Sequence, residues 1–169
     1  MNEKIVIGSA RKDENNNIKG GKKGDQKQTE LVDYTGEVSF QKFYVHKKGW
    51  NVARPKTEEL RHLLGSKMVN ACSNSNIGYN QWERNGIYKY GTESTVKTNC
   101  DCSSLVTQCL RECGFVTFPN SRTIDLIENM KKYLSEYFEF FEYTEKEKLK
   151  IGDILCTKTS GHVVIVVGE

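Results

Sequence analysis

The stretch NCDCSSLVTQCLRECG (residues 99–114) holds four of the chain's six cysteines, and its spacing decides how the rest is read. Cys102, Val106, Cys109 and Cys113 follow one another at intervals of four, three and four, which is one face of an α-helix. Leu105 and Leu110 widen that face, and Gly114 closes the helix. On this spacing Cys109 and Cys113 are small buried apolar residues, a common use of free cysteine. Cys72, at the end of an earlier helical run, and Cys156, in a C-terminal hairpin, take the same reading. Zinc fits less well. Cys100, Cys102, Cys109 and Cys113 do not form two separated knuckles, and the last two have no turn between them to wrap a metal. A disulfide framework needs an oxidising compartment. The opening MNEKIVIGSARKDENN lacks the apolar core of a secretory signal, so the thiols are expected to stay reduced.

Cys102 stands apart from its companions because it occupies the first turn of the expected helix. Asp101 is a good N-cap, and Ser103 and Ser104 suit the positions that follow. A thiol there faces unpaired backbone N–H groups and the positive end of the helix dipole, which favour thiolate, with Asp101 partly opposing. Such a cysteine becomes a nucleophile only if a base reaches it. Of three histidines, His46 lies in a polar turn (YVHKKGW) and His62 on the rim of a helix. His162 opens the apolar strand HVVIVVG, an odd place for an imidazole that is not used. On a thiolate–imidazole pair, activity would rise as Cys102 loses its proton and fall once His162 has none to donate, giving a profile that is not flat from pH 5 to 9.

Outward from the helix, the chain reads as α+β in a single domain over residues 1–169. EKIVIGSA is a strand ending at Gly8, RKDENNNIKGGKKGDQKQ a long polar loop, and EVSFQKFYV a second strand. WNVARPK leads through Pro55 into a helix capped by Thr57, along which Leu60, Leu63, Leu64, Met68 and Ala71 recur. QWERNGIYKYG is a short helix, SRTIDLIENMKKYLSEYF an amphipathic one, and EFFEYT a strand. GDILCTKTSGHVVIVVG forms a hairpin turning at Ser160–Gly161. At 37% hydrophobic and 28% charged residues, with a net charge of +3, the composition is that of an ordinary globular chain. No apolar run approaches the roughly 18 residues of a membrane span. The basic stretch KGGKKGDQK (residues 19–27) suits a solvated loop or an anionic polymer, but no interleaving of aromatics with Arg and Lys points to nucleic acid.

DCSSLV (101–106), GDIL (152–155) and GHVVIVVG (161–168) resemble the motifs of the NlpC-type, papain-like cysteine peptidoglycan hydrolases. GGKKGDQ (20–26), WNVARPK (50–56) and NIGYNQWERN (76–85) are similar to phage and prophage endolysins of clostridial and other Gram-positive hosts. The resemblance implies a papain-like fold, with Cys102 as nucleophile at a helix N-terminus and His162 as general base on an antiparallel sheet. It implies that Asp101 and Ser103 line the substrate groove, with Tyr79 near a substrate-contacting position. The family's third polar residue usually follows the histidine by about a dozen positions, beyond Glu169, so either it lies past that residue or it comes from elsewhere, with Asp25 or Gln26 the candidates. The implied substrate is cell-wall peptidoglycan, cut at a stem-peptide amide by an N-acetylmuramoyl-L-alanine amidase or a D-glutamyl endopeptidase. No metal, cofactor or nucleic acid is expected, and the protein would act as a monomer. It would be made in the host cytoplasm and reach the wall after release, any wall-binding module lying beyond Glu169. Two readings from other classes stay open: a non-catalytic peptidoglycan-binding domain on the same scaffold, and a zinc-stabilised interaction module.

Overall fold

The computed structural model describes residues 4–26 and 36–169. It is a mixed α/β structure, compatible with α+β, built on a six-stranded antiparallel sheet with helices against it. The elements are β1 (Val6–Ala10), β2 (Val38–Lys42), β3 (Trp50–Pro55), α1 (Glu58–Cys72), β4 (Ile77–Tyr79), a 3-10 turn (Gln81–Glu83) and α2 (Gly86–Tyr90). They continue with β5 (Thr98–Cys100), α3 (Cys102–Glu112), α4 (Leu126–Leu134), β6 (Phe138–Glu142), β7 (Ile154–Thr157) and β8 (Val163–Gly168). The large sheet runs β2-β1-β8-β7-β3-β6, and β4 and β5 form a small parallel pair.

The C-terminal hairpin supplies the two middle strands. Ile154–Cys156 pair with Val163–Ile165, and these residues are buried throughout. A continuous apolar run is what a strand covered on both faces requires. On the helical face, Ile154, Cys156, Val163 and Ile165 join Leu64, Met68, Leu105 and Cys109. On the other face, Leu155, Val164 and Val166 join Trp50 and Val52, with Phe43, Tyr44, Phe141 and Tyr143 packed around them.

β1 does not stop at Gly8, as the sequence suggested, but continues to Ala10 in register with β2, while its pairing with β8 runs over Val6–Gly8 with a register shift after Val6. Gly8 serves packing rather than a turn: a Cβ there would sit 2.6 Å from Met68 Cγ and 3.0 Å from Cys72 Sγ, so α1 rests directly on the strand. α1 begins as its sequence indicates, with the Thr57 hydroxyl accepting from Leu60 N–H, although Leu63 points to solvent. The segment before it, read as a lead-in to the helix, is strand β3, paired with both β6 and β7. The amphipathic helix is shorter than expected, covering only Leu126–Leu134.

Two buried ion pairs fasten these pieces. Arg54 of β3 donates from Nε and Nη2 to Asp153 Oδ1 and Oδ2 at 2.8 and 2.7 Å, just before β7. Arg84 donates from Nε to Asp101 Oδ2 at 2.6 Å, at the head of α3.

Candidate active site

The site forms where α3 meets the start of β8. Asp101 caps the helix in a reciprocal box: its Oδ1 accepts from Ser104 N–H at 2.8 Å, and Ser104 Oγ accepts from Asp101 N–H at 2.9 Å. This fixes Cys102 in the first helical turn, with its thiol against the backbone N–H groups of Val163 and Ser103. Val163 is the chain neighbour of His162, so the start of β8 that carries His162 packs against the Cys102 thiol. The His162 backbone is pinned by Thr157, whose N–H donates to His162 O and whose Oγ1 accepts from His162 N–H.

The protonation states differ from those expected of a helix-start thiol. Burial pushes Cys102 up to about 12, with Asp101 adding to the rise, and the N–H groups of Val163 and Ser103 offset only part of it. Burial likewise pushes His162 down to about 4, helped by the charges of His46 and Arg11. Desolvation outweighs the helix dipole because Cys102 is only 9% exposed. The resting pair is therefore neutral thiol and neutral imidazole.

Tyr79 is buried beside the pair. Burial raises its phenol, with Cys102 as the next contributor, and its hydroxyl accepts from Gln81 Nε2 at 3.2 Å. Asp101 and Ser103 are also brought to the site, but both are turned inward onto Arg84. Ser103 Oγ accepts from Arg84 Nη2 at 3.0 Å, and the same nitrogen donates to Ser121 O at 2.8 Å. Arg84 is thus the hub of this wall, one the sequence reading did not name although it lies within NIGYNQWERN. Tyr44 and Arg11 were also missed, and His46 had been set aside as part of a polar turn. Tyr44 is raised by burial and by the nearby Cys102, and His46 packs its ring against Tyr44 and Trp50. Their only signal in sequence is position, just beyond the ends of β1 and β2.

Asp25 and Gln26 are not brought to His162. Gln26 is a strut: Nε2 donates to Cys72 O and Asn74 O, and Oε1 accepts from Val38 N–H, tying the end of α1 to β2. Asp25 lies with Glu14 and Glu37. Among the described residues, no side chain hydrogen-bonds the imidazole, and its neighbours Arg11 and His46 both disfavour its protonation.

The cysteines are free, and all but the half-buried Cys113 lie in the interior. Among the described residues, the one grouping with metal-ligand spacing is made of carboxylates, so the cysteine cluster offers no zinc site.

A first-turn thiol beside the strand that carries His162, on a sheet-and-helix frame, is an arrangement that acyl-transfer chemistry can use. The family model described as endolysin-like domain matches residues 7–169, and the chain belongs to that family. Membership ties it to a cell-wall-related function. No curated protein and no solved structure matches the chain.

Proposed function

We propose that the protein is a papain-like, NlpC-type peptidoglycan hydrolase that cleaves a stem-peptide amide with Cys102 and His162. The observation that carries this reading is the seating of the Cys102 thiol against the N–H of Val163, one residue from His162. Because both groups rest neutral, His162 takes the thiol proton as sulfur attacks the carbonyl carbon, working as a general base rather than as half of a preformed ion pair. The C–N bond then breaks, and His162 delivers the proton to the departing amine. Water, deprotonated by the same imidazole, attacks the thioester, releasing the acid and restoring the thiol. The backbone N–H of Cys102, in the first turn where helical N–H groups lack intrahelical acceptors, is the oxyanion donor. Arg84 acts through Asp101 and Ser103, holding the helix start in place. The bond cut is that of an N-acetylmuramoyl-L-alanine amidase or a D-glutamyl endopeptidase.

The test is loss of turbidity of Gram-positive cell walls, with Cys102→Ala and Cys109→Ala beside the wild type. Cys102→Ala should remain folded and clear nothing, while Cys109→Ala clears walls. Mass spectrometry of the released fragments then names the bond. Equal clearing by all three proteins would overturn the assignment. The deep burial of Cys102 favours one other reading, a non-catalytic wall-binding domain. Wild-type protein that sediments with walls yet releases no fragments would select it.

A further inference from the structure

The motifs GGKKGDQ and NIGYN meet away from the catalytic pair, at a cluster that the acyl-transfer chemistry does not use. Glu14, Asp25 and Glu37 each place a carboxylate oxygen within 4.8 Å of the others. Glu37 is 2% exposed; its Oε2 accepts from Tyr79 N–H at 2.5 Å, while its Oε1 is buried with no hydrogen-bond partner. Three carboxylates this close repel one another, and a buried acceptor with no donor is costly.

An independent observation comes from Asn99 on β5. Its Nδ2 donates to Glu83 Oε2 at 3.0 Å, which fixes which way the amide points. The opposite atom, Oδ1, is buried and also has no partner. It converges with Glu37: a Cβ on Gly78 would lie 2.8 Å from Asn99 Oδ1, 2.8 Å from Glu37 Oε2 and 2.9 Å from Gly24 N. Glycine at position 78 keeps this space open. Asn99 therefore turns a partnerless buried oxygen toward the side of Glu37 that accepts from Tyr79, at the edge of the carboxylate cluster. Every candidate ligand is a hard oxygen, the donor set of calcium and magnesium rather than of zinc or copper.

We propose that Glu14, Asp25 and Glu37, with the Asn99 carbonyl beside them, bind a divalent cation of the calcium class. The ion fastens the loop carrying Asp25 to β2 and to the β4–β5 pair, which leads through Cys100 into Asp101 and Cys102. Its role is structural and takes no part in the thiol chemistry.

The test uses the intact chain stripped with EDTA and titrated with CaCl2, read by calorimetry and by thermal unfolding. Calcium at about 100-fold above its Kd should raise the unfolding midpoint by roughly 5–10 °C, and MgCl2 should act more weakly. Asp25→Asn, at a half-exposed position, should abolish the calcium response while unfolding in EDTA no earlier than the wild type, since it removes a repelling charge. Glu128→Gln, on the exposed face of α4, should leave the response intact. Absence of binding heat and of any midpoint change with either cation would overturn the proposal, as would an Asp25→Asn protein that still responds like the wild type. The readout is stability, so the outcome is independent of whether Cys102 is the nucleophile.

Discussion

Cys102 and Cys109 lie on one helical face seven positions apart, and their surroundings differ. Cys109 is sealed among Leu105, Leu110 and the sheet, where burial, with Glu112 adding, holds the thiol protonated. Cys102 is nearly as buried, but it touches the N–H groups that begin β8 and continue α3. Its protonation state was not legible from the helix position, because the dipole is a first-turn effect while desolvation depends on what the sheet and Tyr79 pack over it. The consequence is a specific pH profile. Under the proposed mechanism the free protein is active when His162 is neutral and Cys102 holds its proton, so kcat/KM should rise with pH through about 4 and be lost only toward 12. On a soluble stem-peptide substrate, kcat/KM should be level from pH 5 to 9. A bell within that range would mean that thiol and imidazole exchange their proton before substrate arrives.

At the scale of elements, the start of α3 is held from outside the helix. The Asp101 carboxylate caps Ser104 through one oxygen and meets Arg84 through the other, and Arg84 continues to Ser103 and to the Ser121 carbonyl. Arg84→Ala would leave Asp101 buried without its partner. We expect it to cost about 3–5 kcal/mol in urea unfolding, the range for breaking a buried pair from one side. A cost under about 1 kcal/mol would mean that water takes over the guanidinium's place. The Asp101 N-cap was legible, since an Asp before an apolar helical run carries its own mechanism, while the return bond from Ser104 appeared only in the structure. Arg84 was not, because nothing local links position 84 to 101. β3, β4 and β5 were missed for a related reason. Each is short or interrupted by polar residues, and each becomes a strand only through partners supplied by distant segments.

The whole molecule has two apolar clusters, one on each face of a shared sheet. Because β3, β7 and β8 contribute to both, neither cluster can melt alone. A single cooperative transition is expected, with coincident midpoints from far-UV circular dichroism and from Trp50 fluorescence in a Trp82→Phe background. Separated midpoints would show that the aromatic-covered face opens independently.

The sequence by itself determined the pieces whose information is local. Helical spacing and the Asp101 cap specify α3, continuous apolar runs specify the β7–β8 hairpin, and the residue types of Cys102 and His162 mark the candidate chemistry. Tertiary structure alone decided the neutrality of the pair, the inward turn of Asp101 and Ser103 onto Arg84, and the use of Gln26 as a strut. It also decided the gathering of Asp25 with Glu14 and Glu37. These depend on burial and on contacts between residues far apart in the chain, and a pattern of neighbours along the sequence carries no record of what will exclude water around them.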